Sequence, residues 1–200
     1  MFVQIIQAKV KDAEGVGAEV ERWQKELAPG ADGYLGSTGG VTPDGRFIMM
    51  ARFESEDAAM RNSDKPEQGE WWNRMAKNLE GEATFSNSTD VDISLGGGSD
   101  SAGFVQVMQG RVTDTAKAKE LGKKMDESMP QMRPDVIGSV NAGYGDGEFM
   151  NFIYFTSLEE ARQNEKAMAE NPPEDMSEWE SIMQGEITYY DLEDPWLFTK

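Results

Sequence analysis

The strand FVQIIQAKV, Phe2 to Val10, is written a second time as FVQVMQGRV, Phe104 to Val112. The same features follow each copy in the same order: a helix-period segment, a Gly-Ser strand (Gly36, Ser37; Gly138, Ser139), an Asp-Gly turn (Asp44, Gly45; Asp146, Gly147), a strand ending in Phe53 or Phe155, and a helix carrying Asn62 or Asn164. The offset between partners stays at 102 residues from Phe2 and Phe104 to Asn62 and Asn164, which a chance likeness of short apolar strands does not sustain. The chain is two copies of one unit, predicted as residues 1–95 and 103–200. The Gly/Ser-rich segment 96–102 is the expected linker, and limited proteolysis is expected to cut first between Leu95 and Ala102.

Each copy predicts the same elements. Val16, Val20, Trp23 and Leu27 form one helical stripe, and Ala118, Leu121, Met125 and Met129 form its counterpart. Asp12 and Asp114 stand as N-caps, while Pro29-Gly30 and Pro130 mark the expected stops. Tyr34–Val41 and Arg46–Glu54 read as a hairpin, as do Val136–Ala142 and Glu148–Phe155. Ser55 and Ser157 cap second helices, which Pro66 and Pro172-Pro173 interrupt, and last strands are expected over Glu82–Ser86 and Glu186–Tyr190.

Strand, helix, strand, strand, helix, strand is the ferredoxin-like βαββαβ arrangement, an α+β fold. Its helices cover one sheet face. The other face here is apolar too, so each copy is expected to pack that face on the other, forming an intramolecular dimeric α+β barrel, a pseudo-dimer within one chain. Isolated halves are expected to self-associate, and a further homo-oligomer is compatible with the sequence.

Composition excludes several kinds of chemistry. Asp and Glu number 37 against 19 Lys and Arg, a net charge of −18, which argues against a nucleic acid or an anionic membrane surface as partner. There is no cysteine, hence no disulfide, thiolate nucleophile or Cys metal site. There is no histidine either, which removes the commonest general base, the usual haem and zinc ligand, and any Ser-His pair. The carboxylates Glu67, Glu70, Glu174, Asp175 and Glu178 lack calcium-loop spacing and read as solvated, so no metal is expected. With no basic leader and no long apolar run, a cytoplasmic protein is expected.

The arrangement resembles the dimeric α+β barrel superfamily in a tandem-duplicated form. NSDKPEQGEWW, Asn62 to Trp72, is similar to the second-helix region of antibiotic biosynthesis monooxygenase-like (ABM-like) proteins. The resemblance implies a cofactor-independent monooxygenase acting on an aromatic, polyketide-like small molecule held between helices and sheet, with no cofactor. The alternative is a non-catalytic binding or scaffold protein of the same fold. In such enzymes the substrate's own carbanion or phenolate reduces oxygen, and amide, Trp, Arg and Tyr side chains serve the pocket.

Carried onto this chain, the resemblance makes Asn62, Arg52 and Trp72 the candidate catalytic residues. Tyr34, Trp71, Gln4, Asn164 and Trp179 become candidate substrate contacts. Each also has a packing explanation. Gln4, Gln7, Gln106 and Gln109 can hydrogen-bond across the pseudo-twofold axis, the tryptophans sit at core spacing, Asn62 and Asn164 can end helices, and Arg52 can snorkel at a strand end. Tyr154 replaces Arg52 and Val136 replaces Tyr34 in the second copy, so the working pocket is expected in the first half.

Overall fold

The computed structural model describes residues 1–170 and 176–199. Two compact units emerge, Met1–Thr89 with Asp194–Lys200, and Asp90–Glu193. In the first, β1 (Phe2–Val10) leads to α1 (Ala13–Arg22), β2 (Tyr34–Val41), β3 (Arg46–Phe53), α2 (Glu56–Ser63), α3 (Pro66–Met75) and β4 (Leu79–Ser88). The second begins with β5 (Asp90–Ser94) and continues through β6 (Phe104–Arg111), α4 (Thr115–Met132), β7 (Val136–Gly143), β8 (Glu148–Phe155), α5 (Leu158–Glu170), α6 (Met176–Ile182) and β9 (Thr188–Leu192). The last strand, β10 (Trp196–Thr199), belongs to the first unit. The sheets are antiparallel, in the orders β10-β2-β3-β1-β4 and β5-β7-β8-β6-β9.

The caps follow the sequence. Asp12 accepts from Gly15 N at 3.1 Å, Asp114 from Lys117 N at 2.9 Å, and Ser55 from Ala58 N at 3.2 Å, each answering a free first-turn N–H. Pro66 opens α3, where its missing N–H costs nothing. Pro130 differs from expectation: α4 runs past it to Met132, the proline removing one rung only in the final turn. Beyond α1 the chain passes through a π-helical turn, Trp23–Leu27, before a short 3-10 turn ends it. Pro172-Pro173, Glu174 and Asp175 lie outside the described residues, whereas Glu178 pairs with Lys117 at 2.6 Å.

The boundary read from the sequence is redrawn by strand exchange. Each copy's fourth strand runs on into a fifth that pairs with the second strand of the other copy: β5 lines up on β7 from Asp90↔Gly143 to Ser94↔Ser139, and β10 on β2 from Trp196↔Gly39 to Thr199↔Gly36. The segment expected as a free linker lies within the second unit and is tied down, with Gly97 N bonded to Ser94 O at 3.0 Å and Gly103 N to Phe155 O at 3.0 Å. A Cβ on Gly138 would overlap the Gly97 carbonyl oxygen. Gly138→Ala is therefore expected to cost about 1–3 kcal/mol, since backbone must move to admit the methyl group; urea denaturation checks this.

Which sheet face meets the helices is set by strand parity. In β3, Phe47, Met49 and Phe53 join the helices in one continuous cluster with Val16, Val20, Trp23, Tyr34, Trp71 and Met75. Val3, Ile5, Ile48 and Met50 occupy the opposite face, fully buried. In the second unit Phe149, Ile153 and Phe155 face the helices, while Val140, Phe152 and Tyr154 are buried on the other side. No helix among the described residues is long and apolar enough to cross a membrane.

Candidate functional site

In the first unit the space between helices and sheet is filled. Trp23 meets Tyr34 edge-on at 4.8 Å and Trp71 at 6.3 Å, Tyr34 meets Phe53 at 5.6 Å, and Trp72 bridges Trp71 and Phe85 at 5.8 and 5.1 Å. The polar tips of this cluster are satisfied internally. Trp71 Nε1 donates to Glu19 O at 2.7 Å, and Trp23 Nε1 to Gln68 Oε1 at 2.8 Å. Tyr34 donates to Ser37 Oγ at 2.8 Å and accepts from Gln24 Nε2 at 2.7 Å, Gln24 being supplied by the π-helical turn. Tyr34 and Trp71, expected as substrate contacts, are thus core residues whose donors are already used.

The candidate catalytic residues do not converge. Asn62 sits in the last turn of α2 and lines a surface cavity of about 330 Å³ with Asp32, Ala58, Arg61, Asp64 and Lys65. Arg52 has the parity of Ile48 and Met50, which puts it on the sheet face away from the helices. A sheet therefore separates the proposed oxyanion cation from the proposed amide. Trp72 is half-buried against Trp71 and Phe85. Gln4 faces the helices and donates to Asn87 Oδ1 on β4 at 3.1 Å, and its copy Gln106 donates to Asp191 Oδ1 on β9 at 3.0 Å, so both amides bond within their own sheets.

The second unit is built differently at the same place. Its helix-facing side chains form two small clusters, one around Phe104, Val136, Phe155 and Ala161, the other around Val112, Leu121 and Ile182. Between them runs a row across the sheet, Asp92, Asn141, Asn151, Met108 and Tyr189, each paired in register with the next. The matching row of the first unit is Trp196, Gly39, Met49, Ile6 and Phe85. Where the first copy has an apolar row under its helices, the second has two amides, and Asn141, Asn151 and Met108 are all half-buried rather than sealed.

Among the described residues, two polar atoms here have no partner. Asn151 Oδ1 is shielded from solvent with no donor, and so is Trp179 Nε1 with no acceptor. Trp179 packs on the cluster containing Phe149, whose neighbour on the same strand face is Asn151. Asn164 lies on α5 between the inward-facing Ala161 and Met168, half-buried in mid-helix, so helix termination explains Asn62 but not its copy. Around the row the charged groups are engaged: Lys119 with Asp90 and, at 3.6 Å, Asp92; Ser94 with Asp126 at 2.7 Å; Arg162 with Glu165 at 2.6 Å and with Asp191. Burial, and then the charge of Glu165, hold the Tyr189 phenol above its ordinary pKa. Asn141, Asn151 and Met108 were not singled out from the sequence. The offset that pairs them with Gly39, Met49 and Ile6 carried the signal.

No family model and no curated protein matches the sequence. Solved structures do match the fold. A candidate monooxygenase from Fusobacterium nucleatum superposes with a TM-score of 0.73 at 10% identity, over 100% of this chain and 92% of that one. Another from Lactobacillus acidophilus gives 0.69 at 12% identity, over 98% of each chain. An anthrone oxidase-like protein gives 0.60 at 9% identity, over 98% of this chain and 92% of its own. The likeness to these structures is one of fold, and each matches both halves of this chain in a single chain.

Proposed function

We propose that the protein binds a planar aromatic molecule in the helix-sheet gap of its second unit and oxygenates it with molecular oxygen, as a cofactor-independent monooxygenase does. The observation that carries this reading is the acceptor of Asn151, shielded from solvent with no donor among the described residues, in the half-buried row on the helix-facing side of that sheet. A buried polar atom left without a partner costs roughly 1–3 kcal/mol, and a ligand phenol O–H supplies the missing donor. Trp179 Nε1 suits a ligand carbonyl or the oxyanion that develops from it. Met108, Phe149 and Ile153 offer apolar surface to the ring, and Asn164 and Trp179 approach from the helix side. The fold likeness to candidate monooxygenases and to an anthrone oxidase-like protein supports the reaction class.

For a ring methylene flanked by aryl groups, loss of one proton leaves a carbanion that reduces oxygen. A C–O bond forms, the hydroperoxide loses water, and CH₂ plus O₂ become C=O plus H₂O. The carboxylates bordering the row are already paired or hydrogen-bonded, which favours a substrate acidic enough to ionise without a dedicated base. Oxygen uptake with 1,8-dihydroxyanthrone, in buffer without flavin, haem or metal, tests the reading. Wild type is expected to consume oxygen equimolar with the quinone formed, and Asn151→Leu to be slower by at least about tenfold. Fluorescence quenching without uptake above the uncatalysed rate would assign binding alone, and neither response would sink both readings.

A further inference from the structure

Arg52 is 8% exposed, and its Nε and Nη2 are shielded from solvent without an acceptor among the described residues. Among the described residues it has no ion-pair partner. It is flanked in register by Val3 and Gly36, with Met50 two residues back on the same face, and Val3 and Met50 are fully buried. The place is made for it: a Cβ on Gly36, where φ is +128°, would stand 2.8 Å from Arg52 Nη2 and would overlap the Phe198 carbonyl oxygen. A cation removed from water with nothing opposite it is costly, and a chain keeps one where an anion compensates. The second copy keeps the glycine, as Gly138, but carries Tyr154 in place of the cation.

We propose that Arg52 anchors a carboxylate-binding site in the first unit, on the sheet face away from α1–α3 and separate from the aromatic site. Nε and Nη2 lie along one edge of the guanidinium and present two parallel N–H bonds at the spacing of a carboxylate's two oxygens. Val3 and Met50 make its surroundings apolar, so the ligand class is a small monocarboxylate. At a net charge of −18 the overall field of the protein repels anions, so occupancy depends on this local fork.

The test uses acetate, benzoate and inorganic phosphate at constant ionic strength set with sodium chloride. Benzoate and acetate are expected to raise the thermal midpoint of wild type in a saturable way, with phosphate weaker. Arg52→Met is expected to lose the dependence, and Arg52→Lys, which keeps the charge but not the fork, to bind at least about tenfold more weakly. In wild type the Arg52 Nε–Hε NMR resonance is expected to move downfield with the same saturation, which decides the matter even if a variant fails to fold. An equal midpoint response in Arg52→Met, a stationary Arg52 resonance at saturating benzoate, or a phosphate response as large as benzoate's would overturn the proposal.

Discussion

Asn151→Met is expected to weaken aromatic binding while leaving the protein more stable. Methionine is what the first copy carries at the matching position, Met49, where it is buried under the helices. The substitution removes a buried acceptor that has no donor and adds apolar surface of similar volume. Stability should rise by about 1 kcal/mol, and affinity for a hydroxylated aromatic should fall at least about tenfold, the worth of one good hydrogen bond to the ligand. Chemical denaturation and fluorescence titration read the two effects separately. A variant that is destabilised yet binds normally would mean that Asn151 is satisfied structurally and takes no part in recognition.

The two tryptophan positions are expected to respond in opposite ways. Trp71 is buried, touches two other indoles and donates to the Glu19 carbonyl, so Trp71→Ala should cost about 3–5 kcal/mol through the cavity it leaves. Trp179 is half-buried with its N–H unmatched, so Trp179→Ala should cost less and should remove the quenching by bound ligand. Urea midpoints and ligand titrations of the two variants give the comparison. A mild loss for Trp71→Ala would contradict the account of the first unit as a filled core.

Much of the fold was legible because the chain states it twice. The caps at Asp12, Ser55 and Asp114, the Asp-Gly turns and the proline opening α3 each follow from local chemistry. The strand exchange was not, because DVDIS shows alternation but not the edge it joins, and β10 is only four residues long. The placement of the candidate residues was concealed for a related reason. Strands apolar on both faces conceal which face meets the helices, so Arg52 and Asn62 looked like neighbours when a sheet divides them. Trp71, a candidate substrate contact that also stands at core spacing, donates its N–H to the Glu19 carbonyl. The exchange of Gly39 and Met49 for Asn141 and Asn151 was visible in the aligned copies, but it gains meaning only once the row is known to face the helices and to be half-buried.

A crystal structure of wild type soaked with anthraquinone, the product-like and oxidation-inert counterpart of the proposed substrate, tests the central claim most directly. The account predicts ring density over Asn141, Asn151 and Met108 in the second unit, with a ligand oxygen within hydrogen-bond distance of Trp179 Nε1. Density beside Asn62 in the first unit, with the second-unit row empty, would contradict it.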